Sequence, residues 1–560
     1  MKKKMPFALW LLIVTLLGAL LRAALLNIGL TIDDACTADV VEASTISDLF
    51  LRIKVYEMSP PLYFLILKGF TSLFGLSALT MALPSMLFGT INIVLTALLA
   101  RKVTAATVKV APSSCYAERT ALLAAFFQAV SPLAIIYSHE ARTYALAGCL
   151  LTLCAYYFID FFSDSKAAQQ SNNKQKPGRL LPLFLSGAAL VYTHYTAIIY
   201  LIVFALLALV FQFSEGKEDI KPIKAVTAIG LALASLAPWL PILNYHKAVG
   251  TPWADPTPIA NFAHVFLGNL AGMLPLPVVP AYLSISFVVL PALLLLAFIK
   301  RKASAKLLRE KLSNPVILTL LLPLIGTCAT IGYITPYMFG YVRYLSPLVP
   351  FSSILAALAA AHLVKTIAAL RGRKHFKREA ISALLLFLPL ALGGAIFEVS
   401  LLAKQPRSGL RPLAKEIANK EPIYTDAVIW TAPDFVGMIL SFYLKHDNKN
   451  ITMPDITGFA CPDSGHRPIM HEEDVNVLKE PNLWEKHKKL IDEKKAAGAR
   501  RLIFVRDTYK PSSKLMPVKE IDDSFEEKLK QNFKVEAVRT YKGSAGSYDV
   551  TVFSLSEAKE

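Results

Sequence analysis

Apolar stretches long enough to cross a lipid bilayer recur from the N-terminus to about residue 402, parted by short polar loops. A bilayer core is spanned by about 20 apolar residues of helix, and inside it the backbone must satisfy its own hydrogen bonds. The first 402 residues therefore read as an all-α polytopic membrane domain. Composition agrees, because 54% of the 560 residues are hydrophobic, 18% are charged and the mean hydropathy is +0.47. That is far too apolar for a soluble globule. The formal charge of +18 could suggest nucleic acid, but its distribution argues against that partner. Before residue 403 there are 33 Lys and Arg against 17 acids; after it, 26 against 24. The excess lies in the membrane half, where topology needs it.

Met1-Lys2-Lys3-Lys4 precedes an apolar run from Pro6 to Leu30, longer than the core of a cleaved signal, so it reads as an uncleaved first span. Taking residues 80–100 as the second span puts every basic cluster on one side: Arg101 to Arg119, Lys166 to Arg179, Lys217 to Lys224, Lys300 to Lys311 and Lys365 to Arg378. By the positive-inside rule that side is the cytoplasm. Counting Pro60–Gly75 as a span would reverse all of them. Leu49–Gly75 is therefore expected to form helices along the outer surface, with about eleven true spans in total. After Leu402 the chain turns polar, and Gln405-Pro406-Arg407-Ser408-Gly409 reads as a linker. Strand-like runs at Ala427–Thr431 and Arg501–Arg506 alternate with helical patterns at Arg411–Lys420 and Leu483–Ala497. The expected division is a membrane domain over 1–402, with an outer loop at 31–79, and a C-terminal extracytoplasmic α/β domain over 403–560. The location is the inner or plasma membrane, with that second domain periplasmic. Six widely spaced cysteines form no CxxC pair, so no disulfide framework or structural zinc is indicated. Cys36 and Cys461 would share the outer side, and are read as unpaired.

This topology gathers Asp33, Asp34, the Pro60-Pro61 stretch, His139 to Arg142, Thr193-His194-Tyr195 and Tyr341 to Tyr344 on one outer face. Carboxylates at the mouth of a span are costly and point to chemistry. Sugar transfer from a lipid phosphate needs a base for the incoming hydroxyl, cations for the departing phosphate and an apolar groove for the lipid. Asp33 or Asp34 can be the base, since a carboxylate near a like charge gains proton affinity. Arg22, Arg142 and Arg343 can hold phosphate with planar guanidinium forks. Structural readings stand beside these. The two Asp can cap a helix, Glu140 and Arg142 can form an ion pair, Arg22 and Arg343 can snorkel, His194 can satisfy a neighbouring carbonyl, and Tyr63 and Tyr144 can belong to an interfacial belt. His139, Glu140 and His194 would form a metal cluster only if two loops meet, so metal dependence stays open. A transporter or lipid flippase is the alternative, but it would place acids at the midplane of interrupted spans and usually show a repeat.

Three motifs carry a family resemblance. Asp33-Asp34 after the first span, then Ser59-Pro60-Pro61-Leu62-Tyr63-Phe64-Leu65 and Leu83-Pro84-Ser85, resembles the first outer loop of GT-C glycosyltransferases of family 39. These are the protein-mannosyltransferase-like and aminoarabinose-transferase-like enzymes. Ser131-Pro132 followed by Ser138-His139-Glu140-Ala141-Arg142-Thr143-Tyr144 is similar to that family's Ser-Pro…Ser-Gln-Glu-Ala-Arg-Tyr motif, and Arg343-Tyr344 with Pro347 to its Arg-Tyr-Pro element. The resemblance implies an inverting transfer from a polyprenyl-phosphate sugar to a lipid, glycan or protein acceptor on the outer face, with no nucleotide and no required cofactor. It implies Asp33 and Asp34 as the catalytic acids. It implies Glu140 and Arg142 in the active-site cavity, with Arg142 near the phosphate, and it carries over no metal site. Tyr63, His139, Tyr144, His194, Arg343, Tyr344 and Arg22 are read from the residues themselves as further candidates around substrate and phosphate. The chain departs from the pattern in three places: Asp34 stands for Glu, Ser59 for His or Lys, and His139 for Gln.

Overall fold

The computed structural model describes residues 6–108, 110–163, 179–215, 221–249, 315–334, 342–371, 392–393, 395–396, 399–400, 403–404, 407–433, 435–448, 453–458, 482–508, 516–543 and 546–558. The apolar runs are helices. The first, α1 (Phe7–Ala23), buries Leu11, Gly18, Leu21 and Arg22 along one stripe and exposes Leu9, Trp10, Leu12, Ile13, Leu16 and Leu20 on the rest. A helix apolar on both its packed and its open faces suits a lipid surround. Among the described residues, four helices are long and apolar enough to cross a membrane: Ala78–Val108, Tyr144–Phe162, Pro222–Val249 and Arg343–Ala361. Shorter apolar helices lie at Phe7–Ala23, Leu62–Phe74, Leu180–Val191, Ala197–Leu209 and Val316–Ile325. Expected spans within 251–314 and 372–391 fall outside the described residues.

Between α1 and the long helix α5 (Ala78–Val108) lie three short helices: α2 (Ile32–Val41), α3 (Ile46–Tyr56) and α4 (Leu62–Phe74). Local chemistry sets their boundaries. Thr31 and Asp34 form a reciprocal capping box at the start of α2. Thr45 accepts the Asp48 N–H at 3.1 Å to start α3. Pro60-Pro61 separates α3 from α4, because neither proline can continue a helix from its predecessor. At 13 residues α4 is about 20 Å long, short for a bilayer core. Then follow α6 (Cys115–Val130), the brief α7 (Pro132–Ile136) and α8 (Tyr144–Ser163); α6 and α8 pack on α5, and α7 packs on α6 and α1.

The C-terminal part holds a five-stranded sheet of order β2-β1-β3-β5-β4. Its strands are β1 (Ala427–Ala432), β2 (Ile456–Gly458), β3 (Arg501–Asp507), β4 (Phe533–Tyr541) and β5 (Tyr548–Ala558). β1 runs parallel to β2 and β3, with Trp430 opposite Phe504. β3–β5 and β5–β4 are antiparallel. Side chains alternate between two layers, as strand geometry demands. Val428, Trp430, Leu502, Phe504 and Phe553 join a core with Phe525 and Leu529. Ile429, Ile503, Val505, Val550 and Val552 face the other way, into the core that includes the helices Leu410–Ala418 and Phe435–Phe442. The helix Phe435–Phe442 packs on α2, so the C-terminal half reaches the segment that carries the two N-terminal acids.

Candidate active site

The two adjacent acids occupy different environments. Asp34 is buried, and both its oxygens are used: Oδ2 accepts from Thr31 N and Thr31 Oγ1 at 2.9 and 2.8 Å, and Oδ1 accepts from Ala141 N at 2.8 Å. It caps α2 and ties that helix to the loop after α7. The Asp33 side chain is 33% exposed and pairs with Arg343. Burial alone would raise the Asp33 pKa, but the Arg343 and Arg142 guanidiniums outweigh it and hold the carboxyl below its ordinary value. Of the pair, Asp33 is therefore the acid with room to meet a substrate.

Arg142 is bound on its Nη1 to Glu57 Oε1 at 2.6 Å, to Thr37 Oγ1 at 2.9 Å and to the Asp33 carbonyl at 3.3 Å. Its charge is already answered by Glu57, a buried acid that also accepts from Thr37 Oγ1 at 2.7 Å. Burial raises the Glu57 pKa against the pull of Arg142. Glu140 pairs with Arg407, not with Arg142. Burial pushes the Glu140 carboxyl up to about 7, with the Arg407 charge opposing it. Beside these pairs stands an aromatic wall. Tyr144 lies 6.1 Å from Tyr344 and 5.6 Å from His194, and His194 lies 6.0 Å from Tyr344. The Arg343 guanidinium sits 5.4 Å from the Tyr344 ring centroid. Burial lowers the His194 pKa to about 4. Its Nδ1 takes the Thr196 N–H at 3.2 Å and contacts Thr196 Oγ1 at 2.8 Å, so a neighbouring amide rather than a carbonyl satisfies it.

Three residues expected at the substrate have other work. Arg22 is fully buried and donates to Ser138 Oγ and to the carbonyls of Gly18, Ala129 and Gln128 at 2.9–3.1 Å. It is a strut between α1 and α6, and Gly89 makes room for it, since a Cβ there would lie 2.0 Å from Ser138 Oγ. Tyr63 has no exposed surface, and its hydroxyl meets Ser85 Oγ at 2.8 Å. His139 is buried with Nδ1 3.2 Å from the Ile135 carbonyl, and burial holds its pKa well below the usual histidine value. Among the described residues no group of three His, Cys, Asp or Glu is arranged to hold a metal ion. Cys36 is free and buried; Cys461 lies outside the described residues.

The solved structure of ArnT from Cupriavidus metallidurans bound to undecaprenyl phosphate superposes with a TM-score of 0.53 at 13% identity, over 97% of this chain and 98% of that one. Its apo state gives 0.52, also at 13%, over 97% of each. This is the GT-C fold. Residues 58–242 match the family described as dolichyl-phosphate-mannose-protein mannosyltransferase, so the resemblance carried by the motifs holds. Oligosaccharyltransferase AglB from Archaeoglobus fulgidus, solved with an inhibitory peptide and a dolichol-phosphate, overlaps with a TM-score of 0.48 at 12% identity, over 97% and 74%. No curated protein matches the chain by sequence.

Two members of this charged cluster escaped the sequence reading. Glu57 stands two residues before Ser59-Pro60-Pro61, and Arg407 lies in the segment read as a linker. Neither belongs to a recognisable pattern, and the partners of each are 85 and 267 residues away. For Glu57 the available signal was an acid close to the Ser59-Pro60-Pro61 motif; for Arg407, a cation between Pro406 and Ser408.

Proposed function

We propose that this protein is an integral-membrane inverting glycosyltransferase that moves a sugar from a polyprenyl-phosphate-linked donor to an acceptor on the outer face of the membrane. The observation that carries the reading is the pairing of Asp33 with Arg343, groups 310 residues apart that supply a base and a phosphate-binding guanidinium at one point. The GT-C fold and the family match over 58–242 support the same reaction class. ArnT was solved with undecaprenyl phosphate, and a carrier of that kind is assigned here as the donor's lipid.

At rest Arg343 holds Asp33 as a carboxylate of low proton affinity. A donor phosphate competes for Arg343 and loosens that hold, which raises the proton affinity of Asp33 as the reaction needs it. Asp33 then takes the proton of the acceptor hydroxyl. The acceptor oxygen attacks the anomeric carbon from the face opposite the phosphate. The bond from that carbon to the phosphate oxygen breaks, and the phosphate leaves with the electron pair, stabilised by guanidinium charge. Tyr144, Tyr344 and His194 supply an aromatic wall for the sugar. The proposed architecture is a membrane domain over 1–402 with about eleven spans and a periplasmic domain over 403–560 that helps to recruit the acceptor. Asp33→Asn should fold and express normally yet abolish transfer of labelled sugar from a polyprenyl-phosphate sugar; retained turnover would remove the assignment.

A further inference from the structure

We infer that Arg407, on the segment joining the membrane half to the C-terminal half, binds a phosphate oxygen of the lipid-linked donor through its Nη1. The inference rests on the transferase reading above and adds to it a binding residue supplied from outside the expected membrane domain.

Arg407 is held firmly. It is 6% exposed, its backbone N–H donates to the Ile28 carbonyl at 2.7 Å, and its Nη2 pairs with Glu140. The Nη1 atom is different: it is buried and has no hydrogen-bond partner among the described residues. A buried guanidinium N–H without an acceptor keeps its full desolvation penalty. The acceptor that best repays it is an anionic oxygen, and a guanidinium fork can serve Glu140 with one nitrogen and a phosphate with the other.

The surroundings favour an incoming anion at this guanidinium. Arg142 is held by Glu57, Arg343 by Asp33 and Arg407 by Glu140, and Arg407 keeps its Nη1 for a phosphate that also engages Arg343. The charge of Arg407 also acts on Asp33 and Asp34, so it belongs to the same electrostatic cluster as those acids. Asp34 binds the Ala141 N–H at 2.8 Å, and Ala141 adjoins Glu140, which fixes the Arg407 partner to the same short loop. Burial keeps the Glu140 carboxyl near neutrality. It can thus give up its claim on Arg407 by taking a proton as a phosphate arrives, so the pocket does not accumulate negative charge.

The test uses full-length protein in detergent, with polyprenyl phosphate and polyprenyl alcohol as probes. Arg407→Lys keeps the charge but loses the fork. The paired variant Glu140→Gln with Arg407→Gln removes both charges, so that neither is left buried alone if the single variant folds poorly. Binding of polyprenyl phosphate should weaken about 10-fold in the lysine variant and up to about 100-fold in the paired one, with polyprenyl alcohol unaffected. Inorganic phosphate, titrated against the same proteins, separates the sources. A loss confined to polyprenyl phosphate assigns the contact to the lipid-borne group, and a loss shared with inorganic phosphate assigns it to phosphate whatever carries it. Wild-type affinity for polyprenyl phosphate in both variants overturns the inference, as does an equal loss for the phosphate and the alcohol. A wild-type protein that binds the phosphate no better than the alcohol sinks the transferase reading itself, and the Arg407 assignment with it.

Discussion

Glu57 and Arg142 offer the sharpest quantitative test of how the site is built. Their side chains are 1% and 12% exposed, with 2.6 Å between Oε1 and Nη1, which puts them among buried ion pairs. Removing one partner of such a pair costs about 3–5 kcal/mol, because the other charge stays buried alone. Here the cost should fall at the lower end for both partners. In Glu57→Gln, Arg142 keeps Thr37 Oγ1 at 2.9 Å and the Asp33 carbonyl at 3.3 Å. In Arg142→Met, Glu57 keeps Thr37 Oγ1, and its proton affinity is already raised by burial, so it can protonate rather than remain an isolated ion. Each single variant should therefore lose about 3 kcal/mol. At roughly 1 °C per kcal/mol for a chain of 560 residues, that is a fall of about 2–3 °C in the apparent midpoint. The double variant leaves no lone charge and should lose about 3 kcal/mol rather than 6, a coupling of about 3 kcal/mol. Thermal unfolding of the full-length protein in detergent, at one fixed scan rate, measures all four members of the cycle. If the double variant falls by the sum of the two singles, the pair is not coupled and the reasoning fails.

Three further outcomes follow from the same geometry. The Glu140 carboxyl is raised in the fold from 4.5 to about 7. Between those values the folded protein keeps a proton that the unfolded chain has lost. Its contribution is thus full below pH 4.5 and fades as pH rises through about 7, by on the order of 3 kcal/mol. Glu140→Gln should flatten that fall in a midpoint-against-pH series, and an unchanged profile would exclude Glu140 as its source. Gly29 has φ +104°, and a Cβ there would lie 2.7 Å from Tyr443 Oη, which accepts the Leu30 N–H at 2.7 Å. Gly29→Ala should cost about 2–3 kcal/mol from left-handed strain and the lost hydrogen bond, against about 1 kcal/mol for Tyr443→Phe; equal midpoints for the two would contradict the strain argument. Arg22→Lys replaces four hydrogen bonds with fewer from a point-like ammonium. It should lower stability while the folded fraction transfers sugar at the wild-type rate; a selective loss of turnover would return Arg22 to the phosphate.

Much of this arrangement was legible in the chain. The Asp33-Asp34 pair, the His139 to Arg142 loop and Arg343-Tyr344 meet as the motifs implied, because their residue types serve both capping and ion pairing. The strands at 427–432 and 501–507 and the helices at 410–418 and 483–496 follow from alternation and periodicity that survive in the tail. The roles of the two acids were separable in principle, since Thr31 three residues before Asp34 is a capping spacing that marks Asp34 as structural. What could not be read is pairing at a distance. Nothing near Glu57 names Arg142, and nothing in Gln405 to Gly409 names Glu140. A charge in a proline-containing turn looks solvated until the fold buries it. Arg22 misled for the opposite reason: a cation inside a span suggests a ligand, whereas four protein oxygens already surround it.

Tyr443 has a consequence for how the protein is made. Its hydroxyl accepts the amide N–H of Leu30 across 413 residues, just ahead of the helix that carries Asp33. A ribosome that has reached residue 402 has therefore produced Asp33 and Leu30 but not the hydroxyl that takes up the Leu30 amide. That contact can form only when the last quarter of the polypeptide has folded back onto the first tenth, so a chain still emerging leaves the Leu30 amide without this partner.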